Sequence, residues 1–453
     1  MDNKTNKVIE GTIWKNMLTY FLALLLGAFF QQFYNTVDAV IVGRIVGSDA
    51  LAAVGGSAAT VVNLFLGFFL GLSSGATVVI AQFYGAGRKE DVHKAVHTAI
   101  SLAIWGGIII TIVGLLLSSW VIEVMKTPAE TVEASTMYLR IYFLGMIPNL
   151  VYNMGAGILR AVGDSKRPLI ILIISCFSNI ILDLFFVVGL KMGFKGTTMG
   201  VIAVAIATIA CQLLSALIVL YMLINTTHPY KVTLSKIGMD KDMLRRIVSI
   251  GLPAGIQSTM YTLSNMLIQT SINELGKDSA AAWAAYGKID VLFWMTISSL
   301  GTSVTTFAGQ NFGAGKLKRV HSSTRAAFGI AFIITIPLST ILYLHGDFLL
   351  RIFVDNPEVI AIGVQMIRYL APFYFTYIGV EIFSGVLRGM GTALVPMLIT
   401  LSGICILRVA WIIIAFPISK TVETVEFSYP LTWITTTVLF TIYYFIYIKK
   451  KRI

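Results

Sequence analysis

Twelve stretches of this chain run for roughly 20 residues or more almost without a charge, at 17–43, 50–80, 95–119, 134–158, 167–190, 198–224, 247–273, 279–309, 323–345, 360–386, 392–416 and 428–448. Nothing else in the sequence constrains the fold as strongly. Runs of that length suit lipid as solvent, where every backbone N–H and C=O must find a partner within its own segment, and the helix provides one. Composition agrees: 57% of residues are hydrophobic and 12% charged, against about a quarter charged in a soluble protein. The expected fold class is an all-α integral membrane protein of twelve transmembrane helices. The longest polar stretch, Asn225 to Arg246, reads as a linker between the sixth and seventh runs. The opening residues lack the basic region, short apolar core and small-residue site of a removable signal peptide, so the first run is expected to stay.

The formal charge of +12 could suggest a nucleic-acid partner, but the placement of the basic residues decides otherwise. With a cytoplasmic N-terminus, the inner segments hold 23 Lys and Arg and the outer loops seven. The positive-inside rule accounts for that bias and predicts a multi-pass protein of the cell membrane with both termini in the cytoplasm. Cys176, Cys211 and Cys405 lie inside runs without CxxC spacing and read as small core residues rather than disulfide or metal ligands.

A shift of 228 residues lays the chain on itself. Gln82-Phe83-Tyr84-Gly85-Ala86-Gly87-Arg88 then falls on Gln310-Asn311-Phe312-Gly313-Ala314-Gly315-Lys316, Gly157-Ile158-Leu159-Arg160 on Gly385-Val386-Leu387-Arg388, Gly163 on Gly391 and Pro168 on Pro396. Two blocks in one register mark a duplication. Each copy has six runs, an even number, so the halves are expected to be parallel repeats around a central cleft, 1–230 with a cation or proton site and 231–453 as the second lobe. Such halves can rock and open the cleft to either side in turn, which suits a transporter. The Gly-Ala-Gly segments follow helical runs and lack nucleotide-loop spacing; they read as tight turns whose glycines allow positive φ, with Arg88, Lys89, Lys316 and Lys318 at the headgroups of membrane lipids.

Ionisable groups inside runs are costly and therefore candidates for function. At 1.5 Å rise per residue, Asp38 lies roughly 8 Å and Asp183 roughly 10 Å inside the outer ends of their runs. Asn179 shares the helical face of Asp183, and Tyr142 and Thr208 reach a similar depth. Two carboxylates, an amide, a phenol and a hydroxyl supply oxygen ligands for a small hard cation. The same cage can hold a proton instead, since burial and a neighbouring like charge favour a neutral carboxylic acid. No basic residue of this half lies at that depth. In the second half Lys288, Asp290 and Arg408 share a level, where an ion-pair cluster and a functional site are equally open readings, and Glu381 sits near the inner end of its run. Gln32, Asn35, Tyr261 and Tyr377 join these three as candidates for a substrate cleft. Aromatic side chains facing such a cleft would suit flat organic cations.

The residues now on the page resemble one family along essentially the whole chain, the multidrug and toxic compound extrusion (MATE) transporters. The carriers are the twelve runs in two halves, the Gln-x-x-Gly-Ala-Gly-basic turns at 82–88 and 310–316, the Leu-Arg-x-x-Gly segments from Leu159 and Leu387, Asn179-x-x-x-Asp183, and Ala207-Thr208. The resemblance implies an efflux antiporter that exchanges organic cations or other drugs for H⁺ or Na⁺, with no other cofactor, and a monomer is expected. It implies that Asp38, Asn179 and Asp183 form the cation or proton site, with Thr208 and Tyr142 as further ligands; Asp38, Asn179 and Asp183 would hold the metal if the ion is Na⁺. The Na⁺-driven bacterial subgroup carries acids in its seventh and tenth spans, where this chain has Tyr261 and Tyr377, so a second ion site of that kind is not expected.

Two other readings compete. A flippase of lipid-linked precursors, from the related exporter superfamily, would need a wide cationic cleft, for which Lys288, Arg408 and Arg140 are the candidates. A membrane enzyme would need a nucleophile with a placed base or a metal motif; His93 and His97 stand one turn apart but lack a third ligand, so an enzyme is not expected.

Overall fold

The computed structural model describes residues 6–451, and among them every regular element is helical. The basic residues Lys4 and Arg452, part of the topology argument, lie outside the described residues. One compact unit is Leu22–Gly255; the other joins the described residues of Met1–Phe21 and Ile256–Ile453. The expected lobes met at residue 230; the compact units instead pass residues 6–21 to the second half and 231–255 to the first.

The first unit takes most of α1 (Ile13–Ile41), then α2 (Ser48–Gly55), α3 (Ser57–Gly85), α4 (Lys89–Val124), α5 (Ala129–Leu144), α6 (Met146–Ala161), α7 (Lys166–Leu184), α8 (Thr197–Ile224) and the start of α9 (Lys241–Glu274). The second continues α9 and holds α10 (Lys277–Gly313), α11 (Leu317–Arg351), α12 (Pro357–Leu370), α13 (Tyr374–Gly389), α14 (Leu394–Thr400), α15 (Leu407–Ala415) and α16 (Val422–Lys451). All twelve apolar runs are helical. Among the described residues ten helical segments are long and apolar enough to cross a membrane. The fourth and seventh runs fall outside that ten for local reasons: Gly145 divides the fourth into α5 and α6, of 16 residues each, and α9 carries Gln257, Ser258, Thr262, Ser264, Asn265 and Gln269 along its length.

The duplication is visible in the backbone. Gly87 and Gly315 have φ of 70° and 69°, and Gly163 and Gly391 of 90° and 87°. Each ends its helix in the same way: Arg88 N–H donates to Phe83 O at 3.0 Å and Lys316 N–H to Asn311 O at 2.9 Å, the six-residue closure that caps a helix through a left-handed residue. Glycine is needed there because a Cβ disfavours that conformation.

What docks on these turns explains the residues exchanged between halves. In the second unit, Asn6 Nδ2 donates to Gln310 Oε1 (3.0 Å), Lys316 Nζ to Ile9 O (3.1 Å) and Arg319 to Gly11 O (3.2 Å). In the first, the segment before α9 docks instead: Thr233 N–H donates to His97 Nε2 (2.9 Å) and Asp240 N–H to Thr98 Oγ1 (3.1 Å). His97 also bonds His93 O through Nδ1 at 2.7 Å, so both its nitrogens serve the backbone. Within the first unit α3 and α9 cross closely, because a Cβ on Gly71 or Gly75 would strike the backbone of Gly255 or Gly251, the small-residue spacing by which membrane helices approach.

Candidate functional site

Four helices of the first unit converge on the sequence-predicted carboxylates: α1 brings Tyr34 and Asp38, α5 Tyr138 and Tyr142, α7 Asn179 and Asp183, and α8 Thr208, Cys211 and Gln212. A π-helical turn follows each acid, Val42–Val46 after Asp38 and Phe185–Gly189 after Asp183. Such widened turns recur at functional sites. At Gly145, between α5 and α6, a Cβ would come within 2.8 Å of Gln212 Oε1, so the missing side chain lets α8 close on the group.

Asp183 is fully buried and Asn179 nearly so. The carboxyl groups of Asp38 and Asp183 lie side by side within hydrogen-bonding reach, and the Cys211 thiol lies alongside Asn179 and Asp183. Yet Asp38 Oδ1, both oxygens of Asp183, both amide atoms of Asn179 and Gln212 Oε1 are buried without a hydrogen-bond partner. Two carboxylates contain no donor, so a proton or a small cation between them would satisfy the pair. Among the described residues the ion pairs are Arg88–Asp91, Arg167–Asp164, Arg351–Asp347 and Lys420–Glu274, and none reaches Asp38 or Asp183. Leaving such groups unpaired costs about 1–3 kcal/mol each, and more when charged. The donor set fits a shared proton, and it fits Na⁺ through two carboxylates and an amide oxygen. No cluster of three His, Cys, Asp or Glu side chains suited to a metal exists among the described residues, so the amide would be needed.

The other predicted members stand less close. Tyr142 is buried and its hydroxyl accepts from Gln212 Nε2 at 3.4 Å. Thr208 Oγ1 donates to Val204 O of its own helix at 3.0 Å, and no bond from it to either acid is present among the described residues. Tyr34 and Tyr138, not predicted, lie within electrostatic range of Asp38; each stands one turn from a predicted residue, a spacing that could have found them. Gln32 is half-buried and Asn35 exposed.

In the second unit the ion-pair reading fails. Asp290 accepts from Trp294 Nε1 and from the Tyr374 hydroxyl, both at 2.6 Å, and Tyr286 reaches Tyr374 at 3.0 Å. Arg408 is buried on another face, over the Tyr429 ring at 4.2 Å with Asn265 Oδ1 at 3.4 Å and Thr432 Oγ1 at 3.3 Å. Lys288 is exposed. Residue number along a helix does not fix rotation about its axis, and the three side chains turn to different neighbours. Around Asp290 the rings of Phe293, Trp294, Tyr374, Tyr377 and Trp433 pack with centroids 4.2–6.4 Å apart. The hydroxyls of Tyr261 and Tyr377 meet at 3.2 Å, and Glu381 packs against the backbone of Gly301.

The MatE family model matches residues 23–185 and, a second time, 253–414. The chain belongs to the MatE family. That places this MatE chain among multidrug efflux transporters and not among enzymes, and it is a multi-pass membrane protein. A probable multidrug resistance protein of Bacillus subtilis, YoeA, is 28% identical over 99% of this chain and 97% of its own length. The probable multidrug resistance protein NorM of Thermotoga maritima is 26% identical over 76% of this chain and 74% of its own. In fold, the MatE chain is similar to a multidrug resistance MATE family transporter in an outward-facing conformation, with a TM-score of 0.91, 21% identity and 99% of each chain covered. It is similar also to a MOP superfamily transporter from Pyrococcus furiosus, described as having a binding pocket of reversed polarity that suggests a different function, with a TM-score of 0.90, 21% identity and 99% of each chain covered. For a MatE chain the residues missed by sequence reasoning are therefore the ones around the acids: Tyr34, Tyr138, Cys211 and Gln212.

Proposed function

We propose that this MatE protein is a secondary antiporter that exports organic cations in exchange for H⁺ or Na⁺, by alternating access with rocking of two lobes. The reading places it in the cell membrane as a monomer with both termini cytoplasmic and lipid around its spans. One observation carries it: Asp38, Asn179 and Asp183 present buried, unpartnered oxygens with no cation of the protein beside them. A group so arranged binds a small positive charge from outside, and loading changes the electrostatic balance between α1 and α7, which hold one acid each. Asp38 and Asp183 receive the charge, Asn179 offers its amide oxygen, and Tyr142 and Gln212 hold α5 against α8 beside them. Coupling follows when the loaded and unloaded groups favour different arrangements of these helices. Tyr261, Tyr377 and the aromatic side chains around Asp290 suit a flat cationic substrate, through cation–π attraction and the carboxylate, with Lys288 and Arg408 at the level of that group.

Purified protein in liposomes, with a pH gradient and a Na⁺ gradient imposed separately, tests the reading. One gradient should drive transport of a fluorescent organic cation, and the one that does identifies the ion. Transport driven by neither would overturn it. Loss of cell-envelope precursor on deletion, with drug tolerance unchanged, would favour the flippase of lipid-linked precursors instead.

A further inference from the structure

The second unit contains a carboxylate that the proposed transport reading does not use. Glu426 lies on α16, one turn from its N-terminal end, and is fully buried. Both its carboxylate oxygens are without a hydrogen-bond partner. A buried acid in that condition carries the full cost of desolvation unless something neutralises it.

The groups around it do not. On its own helix, Glu423 is taken by Gln365 Nε2 of α12, and Tyr429 lies one turn on, under Arg408. From α12, Tyr369 faces Glu426 within electrostatic range. From α15, Arg408 spends two of its nitrogens on Asn265 and Thr432, and it forms no ion pair with Glu426 among the described residues. Asp290 of α10, like Glu426, lies within electrostatic range of Tyr429, and on α13 Glu381 lies against Gly301. Cations of the protein are therefore absent from the Glu426 carboxylate itself, and the acids nearby oppose a second negative charge.

The backbone adds an independent sign. Pro430 stands inside α16 four residues after Glu426. Having no N–H, it leaves the Glu426 carbonyl without its helical donor. Ser428 and Thr432 do not fill that place, because their hydroxyls donate to Val425 O and Ser428 O. The Glu426 carbonyl thus lacks its helical donor, and both carboxylate oxygens lack a partner as well. A proton on the carboxylate removes the buried charge, whereas a metal ion would need further ligands, and no group of three His, Cys, Asp or Glu side chains suited to one is present among the described residues.

We propose that Glu426 is a second proton-binding group of this protein, in the second unit and separate from Asp38 and Asp183. The step is the binding of one proton to one carboxylate, with no bond broken elsewhere. It does not depend on the transport reading.

Infrared difference spectroscopy between acid and alkaline pH, on the full chain in lipid, reads it directly through the carbonyl stretch of a neutral, buried carboxylic acid. We expect a band that moves when glutamate is labelled with ¹³C at its side-chain carboxyl and disappears in Glu426→Gln. It should remain in Asp183→Asn. Glutamine matches the neutral acid in shape, so the variant should keep the wild-type melting temperature. The label also reads the wild type, where no variant has to fold, and absence of any label-sensitive band would overturn the proposal. So would a label-sensitive spectrum that Glu426→Gln leaves unchanged, because the other glutamates would then account for all of it.

Discussion

The two repeats put opposite chemistry at equivalent places. In the first, Asp38 and Asp183 stand together with unpartnered oxygens. Moved by 228 residues they become Met266 and Trp411; Met266 is exposed, and Trp411 packs on a cluster of Ile268, Ile272, Ile412, Phe416 and Val425, its indole N–H donating to Thr424 O at 2.8 Å. In the second unit Asp290 is half-buried and satisfied by a phenol and an indole, and the buried Glu426 stands at a place equivalent to neither Asp38 nor Asp183. Duplication has kept the turns, which the backbone dictates, and has released the polar interior. At those equivalent places one copy holds a pair of unpartnered acids while the other holds Met266 and Trp411.

The comparison can be broken by moving a charge across it. Trp411→Asp puts an unpaired acid into the apolar cluster and should destabilise the protein by about 3–5 kcal/mol, seen as a collapse of the melting temperature in detergent. Tolerance of that change would mean that the second unit has its own cage. A smaller contrast sharpens the account. Asp290→Asn weakens bonds from Tyr374 and Trp294 to a charged acceptor and should cost about 2 kcal/mol, whereas Asp183→Asn relieves an unpartnered charge and should leave the melting temperature unchanged or raised. Equal losses in the two variants would show that the two acids are held alike. The smallest effect concerns what the copies share: Gly87→Ala and Gly315→Ala each place a Cβ at φ near 70° and should cost about 1 kcal/mol, equally in both halves, by thermal denaturation of each variant.

The sequence revealed the helices and the duplication because both are local or periodic signals, carried by apolar runs and by glycines that must sit at turns. It revealed Asp38, Asn179 and Asp183 because helical rise converts residue number into depth. It could not supply rotation about the helix axis. Hence Lys288, Asp290 and Arg408 were read as one level, while in the structure Arg408 turns to Tyr429 and Asp290 to Tyr374. Cys211, read as core filler, stands beside Asn179 for the same reason. Glu426 was hidden by position, since it precedes the last apolar run and only the extension of α16 back to Val422 buries it. The docking of residues 6–11 on the turn at 310–319 is a contact across some 300 residues of chain, and no pattern within either segment announces it.

The central claim is that the Asp38–Asp183 pair couples an external cation to transport. Its most direct test is the movement of that cation itself, measured with a pH-sensitive and a Na⁺-sensitive dye inside liposomes while an organic-cation gradient is imposed. Wild-type protein should move one of the two ions against the substrate gradient, and Asp183→Asn, inserted to the same level, should reduce that flux to the background of protein-free liposomes. Ion flux in Asp183→Asn equal to that of the wild type would contradict the account.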